Sequence, residues 1–431
     1  MDILGNPAVI GFFLFFGLLA LNVPVFVSLG GATLFTMVVL GAAPLSMMPF
    51  VISSSLDSFP LLATPLFIIA GNLLTRTGIA ARLVTVAEIA FGRMPGGLAL
   101  TTLVTGCVLG SMSGSNIATV AALSFLIGAM ANSGYPRPFA VAVVAAGCTF
   151  GVVIPPSISF IIYGVVSETS IPKLFASGVV PGLLMLLTLG AYTLTVSIVK
   201  GYRPAEIERS WPLFFRALRE AFWGLMAPVI ILGGIYTGVF TATEAAAVAV
   251  IYILLIDRFV YRQIAWKDLP EVFYQSGRTI GVIGMMIAMS AVFAWVLQTQ
   301  GVAQLLDQML QAVSGGSKVV ILLVMQVIIF LSGMFLEPIA AMYLLVPLFK
   351  PTLQAIGMDM VQFGAALTVN LSLAHLTPPV GVGLFLAAQL GNVSFAKAAL
   401  WAIPFVLCEI VVVLLTTFVP EIALTLPNLV K

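Results

Sequence analysis

Long apolar stretches, separated by short polar or glycine- and proline-bearing knots, run from one end of the chain to the other. Read against their breakers, they predict helical crossings near 8–22, 24–42, 57–76, 140–166, 176–199, 223–239, 243–260, 279–298, 362–391 and 398–419. A bilayer core asks for roughly 20 apolar residues in a helix. Two further stretches, 98–130 and 318–349, are each divided by a knot: Gly110-Ser111-Met112-Ser113-Gly114-Ser115-Asn116 and Ser332-Gly333-Met334-Phe335-Leu336-Glu337-Pro338. Their arms of about a dozen residues give roughly 18 Å of helix, short of a ~30 Å hydrocarbon core. Each is therefore expected to dip into the membrane and return as a re-entrant helical hairpin.

Two of the predicted crossings are themselves interrupted. Pro155-Pro156 breaks the first and Pro378-Pro379 the second, 223 residues later, and these are the only adjacent proline pairs in the chain. Gly78 and Gly301, Gly134 and Gly357, and Pro181 and Pro404 share that spacing, so one plan is written twice. Prolines lack a backbone donor and clash with the preceding turn, so the helix must open at each pair. Corresponding broken helices in two halves of a membrane protein point to a transport site near the bilayer midplane.

Composition agrees with a membrane location: 61% of the 431 residues are hydrophobic and 8% are charged, more apolar surface than a soluble fold hides. Charge then orients the spans. If the first hairpin opens to the cytoplasm, fourteen of the eighteen basic residues fall on that side and only Lys173, Lys318, Lys350 and Lys431 on the other, as the positive-inside bias requires. Both termini are then periplasmic. Five full crossings lie between the hairpins, so the second enters from the opposite face and the repeats are inverted. Residues 205–222 interleave Trp211, Phe214, Phe215 and Phe222 with Arg209, Arg216 and Arg219, the pattern of an interfacial helix; 44–56 and 264–276 form a weaker pair of the same kind. The net charge of +2 gives no reason to expect a nucleic-acid partner.

The knots and breaks carry the candidate chemistry. Ser111, Ser113, Ser115 and Asn116 offer neutral oxygens suited to a hard monovalent cation, and Gly110 and Gly114 let the backbone turn and present carbonyls. Irregular backbone at membrane depth is tolerated only where it is buried in protein or lines a cavity. Opposite them, Thr149 to Ser157 and Ser372 to Pro379 combine hydroxyls with freed carbonyls. No arginine or lysine falls inside a predicted span, so an anionic substrate is expected to rest on helix N-termini, on Ser113, Ser115 and Thr377, and on bound cations. Glu337 is expected either to cap the helix after Pro338 or to coordinate an ion. Glu409 reads as structural or lipid-interfacial, and the lone His375 as a hydrogen-bonded packing residue. Cys107, Cys148 and Cys408 lack ligand-like spacing and read as small packed residues. One histidine cannot supply a zinc-protease cluster, and nucleophile-elbow and phosphate-loop patterns are absent. That leaves a carrier driven by an ion gradient, with no enzyme activity and no organic cofactor. A proton-coupled carrier, a channel and a membrane-embedded enzyme are the alternatives.

Several motifs together resemble the large membrane subunit of tripartite ATP-independent periplasmic (TRAP) transporters, the DctM-like family. They are Gly114 to Val120, Gly151 to Ser157, Leu174-Phe175 with Pro181-Gly182, Phe240 to Ala247, and Thr377 to Gly381. The resemblance implies an all-α polytopic carrier with inverted repeats that imports a small organic acid, of C4-dicarboxylate or sialic acid type, by Na⁺ symport and an elevator movement. It implies two or more Na⁺ ions, a small four-helix membrane subunit, a periplasmic substrate-binding protein and a bacterial inner-membrane location. Mapped onto this chain, one sodium site involves Ser111, Ser113, Gly114, Ser115, Asn116, Thr149, Gly151 and Pro155. A second involves Gly333, Met334, Glu337, Ser372, Thr377 and Pro378. Substrate would lie among Ser113, Ser115, Asn116, Pro156, Ser157 and Thr377. The implied division is scaffold over 1–97 and 168–298, a transport domain built from 98–167 and 318–391, and a C-terminal helix within 398–431.

Overall fold

The computed structural model describes residues 6–202 and 210–430. Arg203, Arg209, Lys431, the first five residues of the interfacial segment expected at 205–222, and the first five residues of the chain lie outside that range. The described residues form helices and no strands.

The chain opens with α1 (Pro7–Ala20), α2 (Val25–Leu34), α3 (Met47–Leu56), α4 (Ala63–Arg76) and α5 (Ile79–Phe91). The first knot is framed by α6 (Gly97–Ser113), α7 (Asn116–Leu123) and α8 (Phe125–Asn132). The first broken crossing is α9 (Arg137–Cys148), the short α10 (Phe150–Val153) and α11 (Ile158–Ser167), bent by 41° at the break. Then come α12 (Ile171–Lys200), α13 (Trp211–Tyr236), α14 (Ala242–Ile256), α15 (Leu269–Thr299) and α16 (Val302–Ser314). The second knot separates α17 (Lys318–Gly333) from α18 (Pro338–Ala355), the second broken crossing is α19 (Met360–Ala374) with α20 (Val382–Leu390), and α21 (Phe395–Phe418) and α22 (Pro420–Leu424) end the chain.

Backbone features 223 residues apart take the same conformation. Gly78 and Gly301 are left-handed, with φ of 70° and 73°, and head α5 and α16. Gly134 and Gly357 are left-handed before α9 and α19. Pro181 and Pro404 lie inside α12 and α21, and Pro155-Pro156 and Pro378-Pro379 are both cis.

Three expectations are corrected. The segments 205–222 and 264–276 are not separate surface helices. Trp211–Tyr236 is one helix through the Phe222-Trp223 junction, and Leu269–Thr299 absorbs most of the other segment, because neither junction holds a breaker. The hairpin arms are longer than a dozen residues: α6 has 17 residues, α17 16 and α18 18, about 24–27 Å at 1.5 Å per residue. The helix runs on through Gly110–Ser113, and the chain opens only at Gly114-Ser115. Finally, five helices are singly long and apolar enough to cross a membrane, six with the bent pair of α9–α10 and α11. Other predicted crossings are short or interrupted, as where Pro24 separates α1 from α2.

Packing shows which helices belong together. The knot helix α6 lies against α9, α10 and α12, and α17 lies against α19. The halves interlock, with α7 on α20 and α11 on α18. Although 168–298 is expected as scaffold, α12 packs on α6, α19 and α21, and α21 in turn on α9 and α19. On the other side, α4, α13 and α14 pack together with α5, and α15 runs along α2, α3, α4 and α18.

Candidate functional site

Tip one is built by glycines. Gly106 and Gly110, one helical turn apart on α6, face Gly147 and Gly151 on the broken helix so closely that a Cβ on Gly110 would lie 2.7 Å from Gly151 N. Small residues at this spacing let helix backbones touch. At the second tip, 223 residues on, Gly333 meets Ala374 in the same way, with 2.7 Å between a built Cβ and the alanine methyl. Each tip is thereby pressed onto its break.

At the first tip Gly114 takes φ 58° and ends α6, and Ser115 begins α7 with its Oγ accepting from Ala118 N at 3.4 Å. Ser113 Oγ lies 3.2 Å from Thr119 Oγ1 and accepts from Ser115 N at 3.3 Å. Asn116 is 4% exposed, yet neither Oδ1 nor Nδ2 has a hydrogen-bond partner. A buried amide with both ends unpaired costs several kcal/mol by general estimates of about 1–3 kcal/mol per group, so it marks a place where a ligand supplies what the protein does not. Its Oδ1 sits against Gly151, where a cation held between tip and break would find it.

One cavity of about 560 Å³ joins these parts. It is lined by Ser113, Gly114, Ser115 and Asn116 from the first tip, Glu337, Pro338 and Ile339 from the second, Val152, Ile158 and Ser159 from the first broken helix and His375 from the second. The opposite wall comes from Ile68, Gly71 and Asn72 on α4 and from Gln275, Arg278, Thr279, Val282 and Ile283 on α15. Asn72 Nδ2 donates to Ser276 Oγ at 2.9 Å and ties that wall together.

The remaining expected residues stand behind this surface. Ser111, Thr149, Gly151, Pro155, Pro156, Ser157, Gly333, Met334, Ser372, Thr377 and Pro378 do not line the cavity. Several spend their hydroxyls on the backbone: Ser111 Oγ donates to Val108 O at 2.7 Å, Ser157 Oγ to Val152 O at 2.5 Å, Ser372 Oγ to Val369 O at 2.8 Å and Thr377 Oγ1 to Ala374 O at 3.1 Å. Thr149 Oγ1 reaches Glu409 Oε1 at 2.7 Å. Glu409 is fully buried by protein, which removes the lipid-interfacial option and leaves the structural one.

Two roles were misjudged and one residue missed. Glu337 occupies the cap position of α18, but its side chain makes no capping bond; it faces the cavity. His375 is no hydrogen-bonded packing residue: Nδ1 is sealed without a partner, while Nε2 is not among the buried unpartnered atoms. Arg278 corrects the statement that no basic residue falls inside a span. It lies on the cavity wall within the long helix α15. Its signal was its place one residue before an apolar run, and the helix continues backwards past it because no breaker intervenes.

Glu168, in the left-handed conformation between α11 and α12, accepts from Lys350 Nζ at 2.8 Å. That hydrogen bond and the lysine charge hold its carboxyl below the usual carboxylate range. Glu244 completes a capping box with Thr241 at the start of α14, and those bonds lower its pKa too.

The family described as "Tripartite ATP-independent periplasmic transporter, DctM component" matches residues 12–422. The chain is 38% identical to the isethionate TRAP transporter permease protein DctMQ of Oleidesulfovibrio alaskensis over 96% of its own length and 65% of that protein's, so it spans just under two thirds of that relative. It is 37% identical to the C4-dicarboxylate TRAP transporter large permease protein DctM of Pseudomonas aeruginosa, over 86% of this chain and 87% of that one. Among solved structures, the Alcanivorax borkumensis YdaH transporter shares the fold at a TM-score of 0.63 with 15% identity, covering 99% of this chain and 100% of that one.

Proposed function

Because this chain belongs to the DctM component family of tripartite ATP-independent periplasmic transporters, we propose that it is the large membrane subunit of a Na⁺-driven importer of a small organic acid. It is a multi-pass membrane transport protein and not an enzyme. The observation that carries the finer reading is the single cavity in which both knots, both broken helices and Arg278 meet.

The cargo anion rests between Arg278 and the N-terminal ends of α7 and α18, where helix dipoles favour negative charge. Na⁺ is co-transported, held by the neutral oxygens of the tips with Asn116 Oδ1 foremost, so the empty carrier does not return a bare charge through the bilayer. Exchange of conformation between inverted repeats turns the site from one face to the other. The elements bearing tips and breaks, with α12 and α21 packed on them, slide as an elevator against the wall of α4 and α15. Arg278 and Gln275 lie on the half of α15 next to the basic segment that the charge bias places in the cytoplasm, so the cavity faces inward. A small membrane subunit and a periplasmic binding protein complete the system in the bacterial inner membrane. Cargo candidates are the C4-dicarboxylates, sialic acid and, from the relative named for it, isethionate.

Reconstitution of the three components in proteoliposomes tests this. Uptake of labelled succinate, isethionate or sialic acid should follow an imposed Na⁺ gradient and require the binding protein. Uptake that ignores Na⁺ and collapses with a protonophore means proton coupling, and uptake without gradient or binding protein means a channel. Ser115→Ala should raise the Na⁺ concentration for half-maximal uptake at least threefold, with expression retained; unchanged sodium activation removes Ser115 from the site.

A further inference from the structure

A second cavity, of about 270 Å³, opens where α3 and α15 meet α11 and α18. It sits at the other end of α15: from Arg278 to Trp295 is seventeen residues, about 26 Å of helix. Its scaffold wall is the first cavity's wall displaced by 223 positions. Ile68, Gly71 and Asn72 line the first cavity, and Ala291, Ala294 and Trp295 line the second. The relation also runs the other way, from Ser55 in the second cavity to Arg278 in the first. Four matched positions drawn from three helices are not expected of an accidental gap between packed helices.

We propose that this second cavity is a cargo-binding chamber, occupied by the same small organic anion when the transport site faces the opposite side. The inference rests on the carrier reading above. Its chemistry suits a weaker hold on an anion. Among the described residues its lining contains no charged side chain. Tyr343 is 6% exposed with its hydroxyl buried and unpartnered, and Trp295 and Gln298 add donors to the wall. Neutral donors of this kind bind a carboxylate or sulfonate by hydrogen bonds without the added attraction of a full charge, which roughly doubles the strength of such a bond. Ser55 stands where the inner wall has Arg278, so the scaffold presents its cation at one end of the path only. An anion arriving at the serine end is released readily to the arginine end, which favours import.

Ser55→Arg tests the chamber by giving the outer wall the cation that the inner wall already has. In proteoliposomes holding this subunit, the small subunit and the binding protein, with labelled succinate or isethionate under a Na⁺ gradient, the half-saturating concentration should fall at least fivefold. Maximal rate should fall with it, because cargo is retained. Ser55→Gln, uncharged, should leave both within twofold. A merely structural disturbance would lower the rate without tightening half-saturation. If Ser55→Arg does not assemble, Ser55→Cys modified from outside with an impermeant aminoethyl thiosulfonate places the same charge there after folding, and a neutral methyl thiosulfonate is the control. Wild-type uptake combined with unchanged or weakened half-saturation in the charged variants overturns the chamber alone. Absence of Na⁺-driven uptake of any anion by the wild type overturns the carrier reading, and the chamber with it.

Discussion

Thr149 Oγ1 lies 2.7 Å from Glu409 Oε1, fastening the end of α9 to the middle of α21 in a region closed to water. The same hydroxyl also reaches Ala146 O at 2.8 Å, while Glu409 Oε2 has no partner. Thr149→Val keeps the shape and removes the only hydrogen-bond partner of this carboxyl. The expected cost is about 1–3 kcal/mol, read as a lower thermal unfolding midpoint of the purified protein. Glu409→Gln, which retains an acceptor for Thr149, should cost less than about 1 kcal/mol. Since the hydroxyl is already engaged, Thr149→Val should alter the sodium dependence of uptake less than Ser115→Ala does; a larger shift would return Thr149 to the ion site.

The glycine seam between α6 and the first broken helix has no room for side chains. A Cβ on Gly106 would run into Gly147 O, and one on Gly110 would stand 2.7 Å from Gly151 N. Backbone cannot retreat as a flexible side chain does, so Gly106→Val and Gly110→Val should each cost about 3 kcal/mol or more, at or beyond the upper end of ordinary overpacking. The protein should then be recovered poorly from membranes. Gly233→Ala on α13 is the matched control: nothing lies within 4 Å of its built Cβ, and alanine is the better helix former. Normal yields for both seam variants would show that α6 and α9 do not need this closeness.

Much of this architecture was legible because its determinants are local. Proline pairs, left-handed glycines and apolar run lengths act within a few residues of themselves, so Pro155-Pro156, Gly78 with Gly301 and the two knots mark their structures directly. What stayed hidden depends on where a helix is allowed to continue and on which neighbour it meets. Arg278 appeared to be a flanking charge because the apolar run begins after it, yet α15 starts nine residues earlier at Leu269. Ser372 and Thr377 looked like free ligands because composition does not reveal that their hydroxyls bond back to the preceding turn. The wall shared by α4 and α15 joins residues some two hundred positions apart, and periodicity is silent about such pairings.

The Lys350–Glu168 contact links α18 to the turn after α11 at the solvent-exposed edge. The glutamate's folded pKa is lowered from 4.5 by its lysine partner. Its contribution is therefore complete above the unfolded carboxylate pKa and is lost as pH falls through the lower folded value. With the glutamate side chain 82% exposed, the pair is screened and is worth less than about 1 kcal/mol. Lys350→Gln should lower the unfolding midpoint only slightly at pH 7, and the difference from wild type should vanish toward pH 3. A gap that persists or widens in acid would mean that Lys350 acts through some other contact.

His375 and Val152 occupy matched positions on the two broken helices, 223 residues apart, and both line the cavity. The match is one of place and not of chemistry, which makes the imidazole the polar member of an otherwise apolar pair. Its Nδ1 is enclosed with no donor or acceptor nearby. Carrying the proton there would bury an unmatched N–H, so the neutral tautomer with hydrogen on Nε2 is favoured, and Nε2–H then points a donor at the cavity. An anion held by Arg278 on one wall meets this donor on the other. His375→Leu should weaken cargo binding by the purified subunit in sodium buffer about tenfold, one lost hydrogen bond to a charged group being worth about 1.5–3 kcal/mol. Sodium affinity and unfolding midpoint should stay near wild type. His375→Gln, a neutral donor of similar reach, should recover affinity to within about threefold. Equal damage from leucine and glutamine would show that the ring serves packing alone, and wild-type binding by the leucine variant would show that cargo does not reach it.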